Sequence, residues 1–358
     1  MNILVYHIGS LGDTLMAVPA LRVIRENFPC AHITMLTDRK LGRSLVQVCD
    51  VLDGSGLIDD YIEYPTGSYP ALIRLLFQLR SQRFESLVYL IRVYLNDRRI
   101  KRDLFFFRLA GIQKVAGVQG LPVLPEYSAV IPLPGVPRVA DTLLKRLAAS
   151  GLRVPPDGSG NMDLGISVIE ANNVENWLAG LPSCGERLWV GVGIGGKMAV
   201  NRWPLERYER LIAALIEEYN VWPVVFGGPE NAADGQYLVK QWSRGYAACG
   251  ALGVREAISA ISRCAVFVGN DTGTMHMAAM AGVSCVGVYS SRNFPGLWDP
   301  CGSSNLVLRT PISCEGCLLE ECIENNMACI LLISVQQVFE ACRNVLNRQR
   351  VTGKTGSG

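Results

Sequence analysis

Short apolar runs alternate with amphipathic stretches from the first residue of this chain, and that alternation confines it to β-α-β architecture built on parallel sheets. Ile3 to Ile8 and His32 to Leu36 read as strands on either side of a helix from Leu15 to Asn27. Strands at Ser86 to Ile91 and Val115 to Val118 follow, with helices at Ala71 to Gln82 and Arg99 to Leu109, completing one open sheet. The stretch Leu152 to Asp163 holds Pro155, Pro156 and Gly158; it can neither continue a helix nor pair as a central strand, so it reads as a linker. A second series then begins, with strands at Trp189 to Val192, Trp222 to Phe226, Ala265 to Val268 and Cys285 to Tyr289. Its helices are expected at Leu205 to Tyr219, Arg255 to Ser262 and Thr272 to Ala281. The expected domains are therefore residues 1–160 and 161–334, then a helix over 335–350 and a polar, disordered tail at 351–358.

With 358 residues each half can bury its own core, and 49% hydrophobic against 18% charged residues suits sheets covered on both faces. A formal charge of +2 gives no bulk drive toward DNA or RNA, so no nucleic-acid partner is expected and any basic function rests on local clustering. The opening Met1-Asn-Ile-Leu-Val-Tyr lacks the regions of a signal peptide, and no window nears the roughly 18 apolar residues of a membrane span. The expectation is a cytoplasmic protein whose twelve cysteines are mostly reduced. Cys30, Cys49, Cys184, Cys249, Cys264, Cys285 and Cys342 lie in or beside apolar runs as packing residues, whereas Cys314, Cys317, Cys322 and Cys329 stand apart as a cluster.

Two turns carry chemistry. Phe267-Val-Gly-Asn-Asp-Thr-Gly-Thr-Met-His276 reads as strand end, turn and helix start, with Asn270 and Asp271 as turn and N-cap residues. The first N–H groups of such a helix have no internal partner, Gly273 permits close approach, and the helix dipole favours negative charge. A phosphate or pyrophosphate at Thr272, Gly273 and Thr274 is one reading; an ordinary capped helix is the other. Nearer the N-terminus, Ile8-Gly-Ser-Leu-Gly-Asp-Thr-Leu15 follows the first strand without the spacing of a dinucleotide or Walker motif, and offers Asp13 as a carboxylate at a helix start.

Four segments together resemble glycosyltransferase family 9, the lipopolysaccharide heptosyltransferases: Gly9-Ser-Leu-Gly-Asp-Thr-Leu-Met-Ala-Val-Pro-Ala-Leu21, Asn201-Arg-Trp-Pro-Leu-Glu-Arg-Tyr208, Phe226-Gly-Gly-Pro-Glu230 and Asn270-Asp-Thr-Gly-Thr-Met-His-Met-Ala-Ala279. The resemblance implies an α/β GT-B fold of two facing, doubly wound Rossmann-like domains, the first binding acceptor and the second nucleotide sugar. It also implies inverting, metal-independent transfer of a sugar, heptose from ADP-heptose, to a lipopolysaccharide core or other lipid-linked acceptor. By position, Asp13 becomes the general base; the alternative is an N-cap that only stabilises its helix. Asp271, Thr272, Gly273, Thr274 and His276 would hold the donor's sugar and diphosphate where many transferases use a metal, although His276 also reads as a satisfied core histidine. Glu230 is a candidate for the ribose hydroxyls. Family members commonly carry Lys where this chain has Asn201, which leaves Lys197, in the loop Gly193-Ile-Gly-Gly-Lys197, or Arg202 to supply the phosphate-side cation. Arg292, in the loop Tyr289 to Trp298, is a further candidate for phosphate or acceptor.

Between Arg92 and Arg108 six cations (Arg92, Arg98, Arg99, Lys101, Arg102, Arg108) face two acids, Asp97 and Asp103, with Phe105 to Phe107 alongside. On the acceptor side that the resemblance implies, Gly12, Arg92, Arg98, Arg99 and Lys101 become candidates for an anionic lipid head group, with peripheral attachment to the inner membrane; a solvated helix face is the alternative. The spacing Cys314-x2-Cys317-x4-Cys322-x6-Cys329 opens like a zinc or iron–sulfur ligand set but continues like no standard one, so structural metal, disulfides and packing stay open over residues 314–329. The preferred expectation is an inverting glycosyltransferase of envelope biosynthesis. The competing ones are a GT-B nucleotide-sugar epimerase and a nucleotide- or metal-binding regulatory protein without turnover.

Overall fold

Strands buried on both faces need unbroken apolar runs, and Ile3 to Val5 and Val266 to Val268 meet that demand at the middle of two sheets, every one of them fully buried. The computed structural model describes residues 1–38, 46–65, 67–91, 97–120, 132–156, 160–322 and 325–351. Two compact units result, one of Met1–Pro125 with Pro137–Gly165, the other of Glu126–Val136 with Ile166–Gly358.

The first unit runs β1 (Asn2–Tyr6), α1 (Leu11–Asn27), β2 (His32–Asp38), α2 (Val48–Leu52), β3 (Asp60–Tyr64), α3 (Tyr69–Ser81), β4 (Ser86–Tyr89), α4 (Asp97–Leu109), β5 (Lys114–Ala116) and α5 (Val139–Ala149). Its strands are all parallel, in the order β3-β2-β1-β4-β5, with Tyr6 in register with Leu36 and Tyr89. One face carries Tyr6, Tyr89 and Phe107 edge to face, with centroids 5.6 and 5.1 Å from Tyr6, beneath α3 and α4. The edge strand β3 goes unnoticed in sequence because only Ile62 of its five residues is buried. The described part of the stretch read as a linker lies against α1 instead: Asn27 Nδ2 donates to the Arg153 carbonyl at 2.8 Å, Arg22 reaches the Asp163 carbonyl, and Gly160 abuts Pro19.

Arg146 on α5 is fully buried, and among the described residues it pairs with backbone carbonyls and no carboxylate. Its guanidinium donates to the carbonyls of Gly117 (2.6 Å), Ile91 (3.0 Å) and Tyr89 (2.7 Å), binding the carboxyl end of β4 to the turn after β5. Burial depresses it to about 10. The turn requires glycine, since Gly117 sits at φ +82° with the Tyr89 carbonyl 2.6 Å from where a Cβ would stand.

The second unit comprises α6 (Val168–Ala179), β6 (Trp189–Gly193), α7 (Leu205–Tyr219), β7 (Trp222–Phe226), α8 (Ala232–Trp242), β8 (Tyr246–Ala247), α9 (Val254–Ile261), β9 (Cys264–Asn270), α10 (Gly273–Met280), β10 (Cys285–Val288), β11 (Leu306–Leu308), α11 (Ala328–Leu331) and α12 (Val335–Val351). Its sheet is also parallel, ordered β11-β10-β9-β6-β7-β8. Residues 132–136 join this unit: Leu133 N–H donates to Glu315 Oε2 at 2.9 Å and Val136 N–H to the Pro295 carbonyl at 2.8 Å. The tail expected at 351–358 lies outside the described residues beyond Val351.

Replacing Arg146 by Met should strand three buried carbonyls and lower unfolding free energy by about 3 kcal/mol or more. Urea denaturation checks this; a change under about 1 kcal/mol would contradict the clamp.

Candidate functional site

In an open parallel sheet, ligands bind beyond the carboxyl ends of the strands, and each unit gathers polar residues there. In the first unit, β1 runs through Gly9 into α1, whose N-cap is Ser10, not Asp13. Asp13, in the first turn, is buried; its Oδ2 accepts from Ser10 N–H and Ser10 Oγ, both at 2.7 Å. Gly9 must be small, because a Cβ there would stand 2.3 Å from Asp13 Cβ. His7 lies 3.2 Å from Thr14 Oγ1 through Nε2, both residues buried. Gly12 is half-buried beside Asp13.

Of the other acceptor-side candidates, Arg92 lies outside the described residues. Arg98, Arg99 and Lys101 are exposed on α4, whose start follows the carboxyl end of β4. Asp103, one of the two acids among these cations, lies inside the fold. It is buried, accepts from Tyr89 Oη at 3.0 Å and pairs with Arg102 at 2.9 Å. The three phenylalanines divide: Phe107 is core, Phe106 half-buried and Phe105 exposed.

In the second unit the expected N-cap moves by one residue, because β9 continues through Asn270 and Thr272 caps α10. Asn270 has no exposed surface and uses both ends of its amide. Its Nδ2 donates to the Ile194 and Gly195 carbonyls, each at 3.0 Å, while Oδ1 accepts from Trp203 N–H (3.0 Å) and Tyr208 Oη (2.8 Å). It thereby fixes the loop after β6 and the entry to α7 around the head of α10. Thr272 and Thr274 hydroxyls are 3.0 Å apart, and Gly193 lies under Thr274, whose Oγ1 is 2.8 Å from where a Cβ would be. Glycine there lets Thr274 and Phe267 pack against the end of β6, and the N–H groups and dipole at the N-terminus of α10 attract an anion.

The cation question divides on geometry. Asn201 is buried, its Oδ1 accepting from Ser290 Oγ at 2.6 Å, so this position faces inward. Arg202 donates through Nε to the Gly196 carbonyl at 2.6 Å, and Gly196 has Arg202 Cγ and Thr272 Cγ2 at 3.2 and 3.5 Å from its would-be Cβ. Arg202 is thus held beside the head of α10, while Lys197 is exposed on the loop. Glu230 is exposed in the short 3-10 turn Pro229–Asn231 and folds its carboxylate over Gly228.

Asp271 accepts from Asn293 Nδ2 at 3.2 Å, and burial pushes its carboxyl up to about 6 against the opposing pull of Asn293, Arg309 and Arg292. His276 is buried with its ring 6.2 Å from that of Trp298. Arg292 serves as a brace, its guanidinium donating to the Leu319 carbonyl at 2.6 Å and the Leu318 carbonyl at 2.7 Å. Gly316 and Leu318 N–H return bonds of 2.8 Å to the Ser291 and Arg292 carbonyls, so the cysteine-rich segment backs the loop that holds Asp271. All four of its cysteines are free thiols, and Cys329 is raised by burial with Cys314, Cys322 and Cys317 as electrostatic neighbours. Among the described residues no group of three or more His, Cys, Asp or Glu is arranged to hold a metal ion.

Residues 174–328 match the model of glycosyltransferase family 9 (heptosyltransferase). No curated protein matches by sequence. Among solved structures, the glycosyl transferase family 9 protein from Veillonella parvula is 22% identical, covering 97% of each chain with a TM-score of 0.71. The ADP-heptose heptosyltransferase II of E. coli is 20% identical over 98% of this chain and 100% of its own, TM-score 0.69. E. coli heptosyltransferase WaaC, solved with ADP, is 15% identical over 96% and 100%, TM-score 0.64. The fold is that of GT-B heptosyltransferases, as the four sequence segments implied, and the family match with these neighbours supports a glycosyltransferase.

Asn270→Ala should leave two carbonyls, one N–H and one hydroxyl without their buried partner and cost about 3 kcal/mol, measured by denaturant unfolding; a cost under 1 kcal/mol would contradict its role. The fold holds the Asp271 proton above the ordinary 3.8, so ionisation destabilises it progressively as pH climbs from there to about 6, and fully beyond. Asp271→Asn should therefore raise Tm at neutral pH, with the gain shrinking as pH falls through 6. A gain independent of pH would exclude Asp271 as its source.

Proposed function

Given a chain that matches glycosyltransferase family 9 over residues 174–328 on a heptosyltransferase fold, we propose that it is an inverting transferase moving heptose from ADP-heptose to a lipopolysaccharide core or similar lipid-linked acceptor at the inner-membrane surface. The observation that carries this is the head of α10. There the Thr272 and Thr274 side chains pack close to Gly196 and Gly193 at the N-terminus of α10, with Arg202 held alongside.

An acceptor hydroxyl attacks the anomeric carbon as the bond from that carbon to the phosphate oxygen breaks. Asp13 takes the hydroxyl proton, its carboxylate oriented by the two bonds from Ser10. Negative charge developing on the leaving diphosphate meets the N–H groups of α10 and the Arg202 guanidinium, both fixed before the reaction and therefore spared reorganisation. Asp271, held by Asn293, and His276 are suited to the donor's sugar hydroxyls, Glu230 to the ribose, and Lys197 to the outer phosphate oxygens. Arg98, Arg99 and Lys101, with Gly12 at the helix start, are assigned to the anionic acceptor. No step here is routed through the cysteines.

Asp13→Asn keeps the shape of the side chain and removes the base. Its turnover of ADP-heptose onto a deacylated core acceptor should fall by roughly 10² to 10⁴, with ADP affinity unchanged. Unaltered turnover would remove Asp13 from the mechanism.

A further inference from the structure

Helix α3 presents a stripe the proposed chemistry does not use. Tyr69, Ile73 and Phe77, spaced by four residues, are 85%, 56% and 65% exposed, while Leu75 and Leu79 on the opposite side are buried. The neighbouring α4 does the same: Phe105 and Leu109 are 64% and 46% exposed, whereas Ile100 and Phe107 enter the core shared with α3. The two helices pack together, and Arg80 on α3 donates to the Leu109 carbonyl at 3.3 Å. Five large apolar side chains are therefore exposed on two helices that pack together.

Among the described residues, the exposed charges of α3 and α4 are all positive. Arg74 and Arg80 are exposed on α3, Lys101 and Arg108 on α4, and Lys101, Phe105 and Leu109 share one row of the helix surface. Asp103, an acid within this stretch of α4, points inward to Tyr89.

We propose that the α3–α4 face is the protein's membrane-docking surface, seating its aromatic and aliphatic side chains at the head-group boundary of a bilayer containing anionic lipid while Arg74, Arg80 and Arg108 meet the phosphates. Charge selects this occupant. A second copy on the same face would set arginine against arginine, whereas an anionic bilayer offers an apolar layer beneath a negative surface. The inference deepens the reading of a lipid-linked acceptor and rests on it only for its purpose, since bilayer binding is measured without turnover.

The test is co-sedimentation with vesicles of phosphatidylcholine alone and of phosphatidylcholine mixed equally with phosphatidylglycerol, using the full chain and the variant Tyr69→Gln/Ile73→Gln/Phe77→Gln. Wild type should bind the mixed vesicles at least about tenfold more tightly than the neutral ones, and the variant should lose about tenfold on the mixed vesicles. ADP-induced thermal stabilisation should be the same in both proteins, which establishes that the variant is folded. Adding Arg74→Gln and Arg108→Gln to wild type should weaken binding and flatten its salt dependence. Failure to bind the mixed vesicles, equal binding to both, or undiminished binding by the triple variant would overturn the proposal. A concentration-dependent dimer in vesicle-free buffer that the triple variant abolishes would also overturn it, by naming a second copy as the occupant. A transferase that turns over a soluble acceptor yet ignores vesicles would sink the docking face and leave the proposed function standing.

Discussion

The end of β9 depends on one fully buried amide. Asn270 supplies two donors and one acceptor oxygen, and all of them are used: on the loop after β6, on the backbone entering α7 and on Tyr208. Inside a low-dielectric core each of these groups would be costly unpaired, so the four bonds hold as a set. They fix where Gly195 and Trp203 lie, and through them the loop bearing Lys197, Arg202 and the glycines at the head of α10. Tyr208 packs edge to face on Trp203 at 4.9 Å, and Trp203 Nε1 donates to the Ile333 carbonyl at 3.0 Å, carrying the constraint to the segment before α12.

Around this pin the second unit is strapped from behind. Asn293 holds Asp271, Arg309 holds the Asn293 carbonyl at 2.5 Å, and Arg292 grips the cysteine-rich segment through two carbonyls. Burial raises the Asp271 carboxyl at this place, so its ionised form costs the fold stability. The first unit follows the same logic with Arg146, a cation used for its geometry of donors, which fixes the end of β4 from which the chain runs toward α4.

Much of this was legible from residue order. Buried parallel strands announce themselves as apolar runs, so the centres of both sheets and the turns after β1 and β9 are legible, and with them the place of Asp13, Asp271, Thr272 and Gly273 at the starts of two helices. The edge strands β3, β8 and β11 were not, because short or half-exposed strands carry no apolar run. Asn270 read as a turn residue since its partners are 62 to 76 positions away, and Arg292 read as a ligand contact for the same reason. The burial of Asp103 is not legible in residue order; only the sheet brings Tyr89 to it. The bond from Arg202 to the Gly196 carbonyl depends on where Gly196 lies, which no spacing encodes. The exposed stripe on α3 has the four-residue period of any helix face, and only burial shows that Tyr69, Ile73 and Phe77 are on the outside.

The claim on which the account stands is that the head of α10 with Arg202 holds an adenosine diphosphate leaving group by itself. Calorimetric titration of the protein with ADP, UDP and GDP, in the presence of a chelator, tests it directly. The account predicts that ADP binds, more tightly than UDP or GDP, and that replacing Arg202 by Gln weakens it about tenfold or more. Binding of none of the three, or ADP binding that survives the loss of Arg202 and appears only with added divalent metal, would contradict it.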